Sequence, residues 1–188
     1  MKLYLFLISI AMLLISILNI AFNVATWYYV IIAVIFCTAL QFAFDASIAI
    51  IVSKIPDKFF NYNSWLYKVT NFEQKFYKKI KVKSWKNKVW ELGGLGGFSK
   101  KNLAKPNSPE YYKKFIIESS KGVLTHRLSY FVGFLAMLFF NNICAFTIAV
   151  PVATVNLILN ALPTIVLRYN TPKLVFAFNK LEKKIKKQ

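Results

Sequence analysis

His126 is the only histidine in the 188-residue chain, and imidazole is the only side chain whose ordinary pKa lies near neutrality. A reaction that activates a hydroxyl needs a base to take its proton, and a donor or positive charge for any oxyanion that develops. Any imidazole base here is therefore His126. FIIESSKGVLTHRLSYFVGF, residues 115–134, places it where charged and polar residues give way to apolar ones. Two readings fit that position, a base held at a membrane surface and an interfacial histidine without chemistry.

Partners for such a base come from only seven carboxylates. Asp45 lies inside an apolar run, where an ionisable side chain is costly and marks a functional site by default; a protonated or hydrogen-bonded structural residue is the alternative. Asp57 follows Pro56 in IPDKFF, a rigid turn that either fixes a carboxylate at the interface or only caps the turn. Glu118 precedes His126 by eight residues, a rise of roughly 12 Å on an unbroken helix, too far for a direct hydrogen bond unless Gly122 breaks it. Asp45 and Asp57 are the better-placed partners. In LRYNTPKL, residues 167–174, Arg168, Tyr169 and Asn170 stand where an apolar run ends, with Pro172 fixing the exit. The Arg168 fork suits a phosphate or carboxylate, or it anchors the chain to headgroups.

Other chemistries find less support. Cys37 and Cys144 each lie within an apolar run, and one histidine without a CxxC pair makes no metal site, so neither metal nor cofactor is expected. ELGGLGGFSKK, residues 91–101, matches neither a Walker loop nor GxGxxG. It reads as a flexible turn, or as backbone able to approach an anion beside Ser99, Lys100 and Lys101.

The elements that position these residues are set by an unusual composition, 57% hydrophobic with a net charge of +18. A soluble domain of this size does not bury so much apolar surface. The fold expected is an all-α integral membrane protein in one membrane domain, with about four transmembrane helices in two hairpins, near residues 3–22, 27–52, 122–140 and 143–167. The first run is longer than a signal-peptide core and is followed at once by a second. The third reaches spanning length only if Gly122 to Arg127 join it. Pro151 and Pro163 predict kinks whose freed backbone groups neighbouring helices must cover.

Seventeen Lys and Arg residues lie between Lys54 and Arg127, and seven more from Arg168 onward. The positive-inside rule then predicts a multi-pass protein of the cell membrane with both termini and the 53–121 segment cytoplasmic. Within that segment NFEQKFYKKIKVKSWKNKVW, residues 71–90, spaces Phe72, Phe76 and Ile80 by four, predicting an amphipathic helix on anionic lipid rather than a nucleic-acid surface. Ser108 is the expected N-cap of a further helix, with Pro109 at its first position and Glu110 in its first turn.

IPDKFF, NFEQKFYKKIKVKSWKNKVW, FIIESSKGVLTH and LRYNTPKL together, in this order and spacing, resemble the glycosyl-4,4′-diaponeurosporenoate acyltransferase family over roughly residues 55–178. The resemblance implies a membrane-bound O-acyltransferase that moves a fatty acyl group from an activated donor, acyl-CoA or acyl carrier protein, to a lipid-borne hydroxyl such as a glycosylated carotenoid's sugar. The matching polar residues are Asp57, Trp85, Lys86, Glu118, His126, Arg168, Tyr169 and Asn170. On this reading His126 deprotonates the acceptor, Asp57 or Glu118 supports it, and Arg168 or Lys86 holds the donor phosphate or the oxyanion. Partners are then membrane lipid, acyl donor and hydroxyl acceptor, with no nucleic acid. The competing expectation is a non-catalytic scaffold binding anionic lipid or a protein through the basic segment.

Overall fold

A computed structural model describes residues 2–89 and 105–186. The glycine-rich stretch 91–101 lies outside them. Helices α1 (Lys2–Ala21), α2 (Trp27–Ser53), α3 (Asn71–Lys79), α4 (Val82–Trp85), α5 (Pro109–Val132), α6 (Asn142–Cys144) and α7 (Val150–Ile185) follow in order, and the described residues contain no strand. Four helical stretches are long and apolar enough to cross a membrane: Tyr4–Ala21, Trp27–Ser53, Pro109–Phe139 and Asn142–Ile185. The chain forms two compact units, one of residues 1–51 and 125–161, the other of residues 52–124 and 162–188.

In the first unit, α1 is followed by Asn23 at φ 52°, a left-handed position that asparagine tolerates. The Val24 N–H returns to the Asn19 carbonyl and the Asn23 N–H to that of Ile20, both at 3.0 Å. These are the paired bonds of a Schellman cap, and they start α2 within a few residues. Ile15, Val30, Ala33, Val34 and Cys37 pack with Ala136, Ile148, Ala149 and Val152 in one core. Its many small residues let helix backbones approach closely, which is how helices associate without a hydrophobic drive in lipid. Leu13, Ile32 and Leu138 are exposed, as lipid-facing side chains of spanning helices are.

After Val132 the chain tightens into 3₁₀ turns over Gly133–Phe139, and Asn141 then caps α6, its Oδ1 accepting the Cys144 N–H at 2.9 Å. A π-helical turn over Ala145–Ala149 leads into α7. Pro151 has no N–H to offer the Thr147 carbonyl four residues back. Asn19 of α1 supplies the donor instead, its Nδ2 lying 2.9 Å from that oxygen. A neighbouring helix thus covers the backbone group that Pro151 frees.

The second unit begins with a 3₁₀ turn over Asp57–Phe59 behind Pro56. Thr70 and Glu73 form a capping box at the start of α3: the Glu73 N–H bonds Thr70 Oγ1 at 3.2 Å and the Thr70 N–H bonds Glu73 Oε2 at 3.1 Å. Lys81 at φ 51° then turns the chain into α4. Phe72 and Phe76 stay exposed on α3, while Tyr77 is buried. Ser108 caps α5 as its residue type predicts, accepting the Tyr111 N–H at 3.1 Å.

Two helix boundaries differ from those the sequence predicts. The third spanning stretch does not begin at Gly122, because α5 runs without interruption from Pro109. Nor does Pro172 end α7, which continues to Ile185. The reason is packing. Leu174 joins Tyr111, Tyr112, Phe115 and Ile116 in a second core, with Val175, Phe178 and Leu181 against it. Burial of these side chains outweighs the single hydrogen bond that proline removes.

Candidate active site

The first unit gathers its polar side chains into one cluster. Gln41 and Asp45 lie one turn apart on α2, Asn156 and Asn160 one turn apart on α7, and His126 and Gly133 two turns apart on one face of the third spanning stretch. His126 Nδ1 lies 2.7 Å from Asn160 Oδ1. The Asn160 amide nitrogen reaches Asp45 Oδ2 at 3.1 Å, the Asn156 carbonyl at 3.1 Å and Asn156 Oδ1 at 3.0 Å. The Asn156 amide nitrogen in turn donates to Asp45 Oδ1 at 3.3 Å and to Gln41 Oε1 at 3.2 Å. Gln41 Nε2 closes the series on the Gly133 carbonyl at 2.8 Å. A Cβ at Gly133 would come within 2.5 Å of Gln41 Oε1, so a larger residue there would displace the Gln41 amide.

Asp45 is thus the carboxylate associated with His126, but through Asn160 and not by direct contact. Sequence reasoning missed Gln41, Asn156 and Asn160. Their signal was present as polar residues at i, i+4 spacing inside apolar runs, the pattern of one wetted helix face.

The other candidate residues lie in the second unit. Asp57 and Glu118 share Lys121, whose Nζ is 2.6 Å from Asp57 Oδ1 and 3.4 Å from Glu118 Oε1 and also sits over the Phe60 ring. They form a local ion-pair group of their own. Lys86 Nζ bonds Asn170 Oδ1 at 3.2 Å and lies 5.7 Å from the centre of the Tyr169 ring, with Lys173 Nζ only 3.8 Å from the same centre. Of the residues singled out in LRYNTPKL, two therefore meet Lys86. Trp85, beside it, caps the turn after α3 by donating Nε1–H to the Ile80 carbonyl at 3.0 Å.

Arg168 is placed differently from the anion ligand its fork suggests. It is 4% exposed. Nε and Nη2 hold both oxygens of Glu73 at 2.7 Å, while Nη1 reaches the Leu66 and Tyr67 carbonyls at 3.3 and 3.4 Å and Nη2 that of Lys68 at 2.9 Å. A guanidinium has five N–H donors, and here five hydrogen bonds run to protein acceptors. Arg168 therefore has no fork left for a phosphate and ties α3 to α7. Burial pushes the Glu73 carboxyl up, but the bonds from Arg168 and the Thr70 N–H and the Arg168 charge outweigh it and hold it down at about 2. The Tyr77 hydroxyl, buried and donating to Glu73 Oε1 at 3.0 Å, is pushed up to about 12 by burial and the adjacent carboxylate.

Among the described residues no three His, Cys, Asp or Glu side chains gather as metal ligands would. The profile of the glycosyl-4,4′-diaponeurosporenoate acyltransferase family matches residues 63–180, well over half of the chain. The chain belongs to that family. A glycosyl-4,4′-diaponeurosporenoate acyltransferase of Staphylococcus aureus strain bovine RF122 / ET3-1 is 30% identical over 144 residues, 74% of this chain and 84% of that protein. The protein of the same name from strain Newman is 29% identical over 154 residues, 79% of this chain and 90% of its own length. No solved structure matches. The chain is accordingly an acyltransferase with four helices able to span a membrane. His126, Asn156, Asn160 and Arg168 fall inside the matched region, whereas Gln41 and Asp45 precede it.

Proposed function

We propose that this acyltransferase works at the cytoplasmic face of the cell membrane, moving a fatty acyl group from a thioester donor, acyl-CoA or acyl carrier protein, to a hydroxyl of a lipid-borne sugar. The relatives' name makes the glycosylated carotenoid glycosyl-4,4′-diaponeurosporenoate the first acceptor to test. The charge distribution supports the orientation, since the lysine-rich segment and the basic end belong on one side.

One observation carries the mechanism: the only imidazole of the chain is hydrogen-bonded at Nδ1 to a polar cluster in the same unit as the apolar core. A ring held at one nitrogen presents the other to substrate. His126 Nε2 takes the proton of the acceptor hydroxyl as its oxygen attacks the thioester carbonyl. The tetrahedral intermediate then collapses, the C–S bond breaks, and the thiolate leaves with the proton returned by the imidazolium. An ester and a free thiol result. General-base assistance of this kind is worth about 10²- to 10⁴-fold. Membranes carrying His126→Ala should lose transfer of labelled acyl groups by that factor while retaining the protein at normal levels. Unchanged transfer in that variant would remove His126 from the reaction.

A further inference from the structure

The amides around His126 form a chain of donation with a single direction. The Gly133 carbonyl can only accept, so Gln41 must turn its nitrogen toward it, at 2.8 Å. The oxygen of Gln41 then faces Asn156, which must offer nitrogen, at 3.2 Å. Asn156 presents its own oxygen to the Asn160 nitrogen at 3.0 Å, leaving the Asn160 oxygen 2.7 Å from His126 Nδ1. The placing of Asp45 agrees with the same order. Its two carboxylate oxygens accept from the amide nitrogens of Asn156 and Asn160, at 3.3 and 3.1 Å. Turning either amide end for end would set oxygen against oxygen. Two backbone carbonyls, which can only accept, thus fix the amides: that of Gly133 at the Gln41 end and that of Asn156, 3.1 Å from the Asn160 nitrogen, at the other.

An amide oxygen also only accepts, so the hydrogen in the 2.7 Å contact belongs to the imidazole. We infer that Asn160 is a positioning residue that holds His126 in the Nδ1–H tautomer, leaving Nε2 as the basic nitrogen, and that Asp45 acts on the imidazole only through the Asn160 amide. Asn160 is 7% exposed, so water does not readily replace it as the acceptor. Its role in turnover rests on the reading of His126 as the base; the tautomer itself does not.

The chain's single histidine makes the test direct. Full-length protein labelled with ¹⁵N-histidine, in lipid bilayers at about pH 8, where imidazole is neutral, gives signals from His126 alone. The expected spectrum has a protonated Nδ1 and an unprotonated Nε2. The reverse assignment overturns the inference. In Asn160→Leu the acceptor is gone, so protonated Nε2 should appear and kcat should fall about 100-fold, with KM within about twofold, as for a displaced catalytic group. Asn160→Asp keeps an acceptor for Nδ1–H while setting its other oxygen against Asp45 Oδ2, so it is the less stable variant, and where it folds it should keep the wild-type tautomer. Wild-type kcat in a folded Asn160→Leu protein overturns the positioning role. Should both variants fail to fold, the wild-type spectrum still decides the tautomer. If Nδ1–H is found and His126→Ala remains fully active, the base reading fails while the tautomer assignment stands.

Discussion

Glu73→Gln removes one charge from the pair that ties α3 to α7 and leaves Arg168 in place, 4% exposed and ionised. The cost can be worked from the carboxyl itself. Its descent from 4.5 to about 2 corresponds to roughly 3 kcal/mol at 1.36 kcal/mol per pH unit. A quarter of the side chain is exposed, so solvent screening reduces this to about 2 kcal/mol. The glutamine oxygen still accepts one bond, which keeps the loss below the 3–5 kcal/mol typical of breaking a fully buried pair. For a chain of this length about 2 kcal/mol lowers Tm by roughly 4–8 °C. The sign of the pH dependence follows from the depressed pKa. The stabilisation is fully present above the unfolded carboxyl value near 4.5 and is lost as pH falls from there toward about 2. Thermal unfolding of the detergent-solubilised protein between neutral pH and pH 3 therefore separates the two chains: wild type loses more than half of its advantage on acidification, and Glu73→Gln has none to lose. Equal Tm values at neutral pH, or parallel acid curves, would refute the assignment of Arg168 to structure and return its fork to substrate binding.

Two further substitutions probe the first unit. Gly133→Ala should drive Gln41 Oε1 from its place, costing about 1–3 kcal/mol as overpacking does; unfolding measurements should show the loss, and labelled acyl transfer should fall with it as the amide chain loses its end. Asn19→Leu withdraws the donor from the Thr147 carbonyl, four residues before Pro151, leaving a half-buried acceptor unsatisfied at about 1 kcal/mol; Tm should fall while KM for the acyl donor stays the same.

Much of this architecture was legible because it depends on local rules. Uncharged runs of spanning length, the Ser108 cap and the helical spacing of Phe72 and Phe76 each depend on residues within a turn or two. What went unread is what distant residues decide. Pro172 is a helix stop by its own chemistry, yet Leu174 and Phe178 find an aromatic core contributed by α5, and the helix continues. Arg168 carries a fork suited to phosphate, yet Glu73, 95 positions earlier, lies against it.

The candidate site divides in the same way. The sequence by itself determined that a membrane protein of this composition has one imidazole, few acids and a family's motifs, so any imidazole base had to be His126. Only the tertiary structure decided which acid is linked to it. Asp45 and His126 belong to different helices, and the bond between them is made by Asn160, which is ordinary in sequence and acquires its role from contacts 115 positions away toward Asp45 and 34 toward His126. A hydrogen bond depends on distance and on which atoms can donate. Spacing along the chain reveals neither once the chain has turned back on itself.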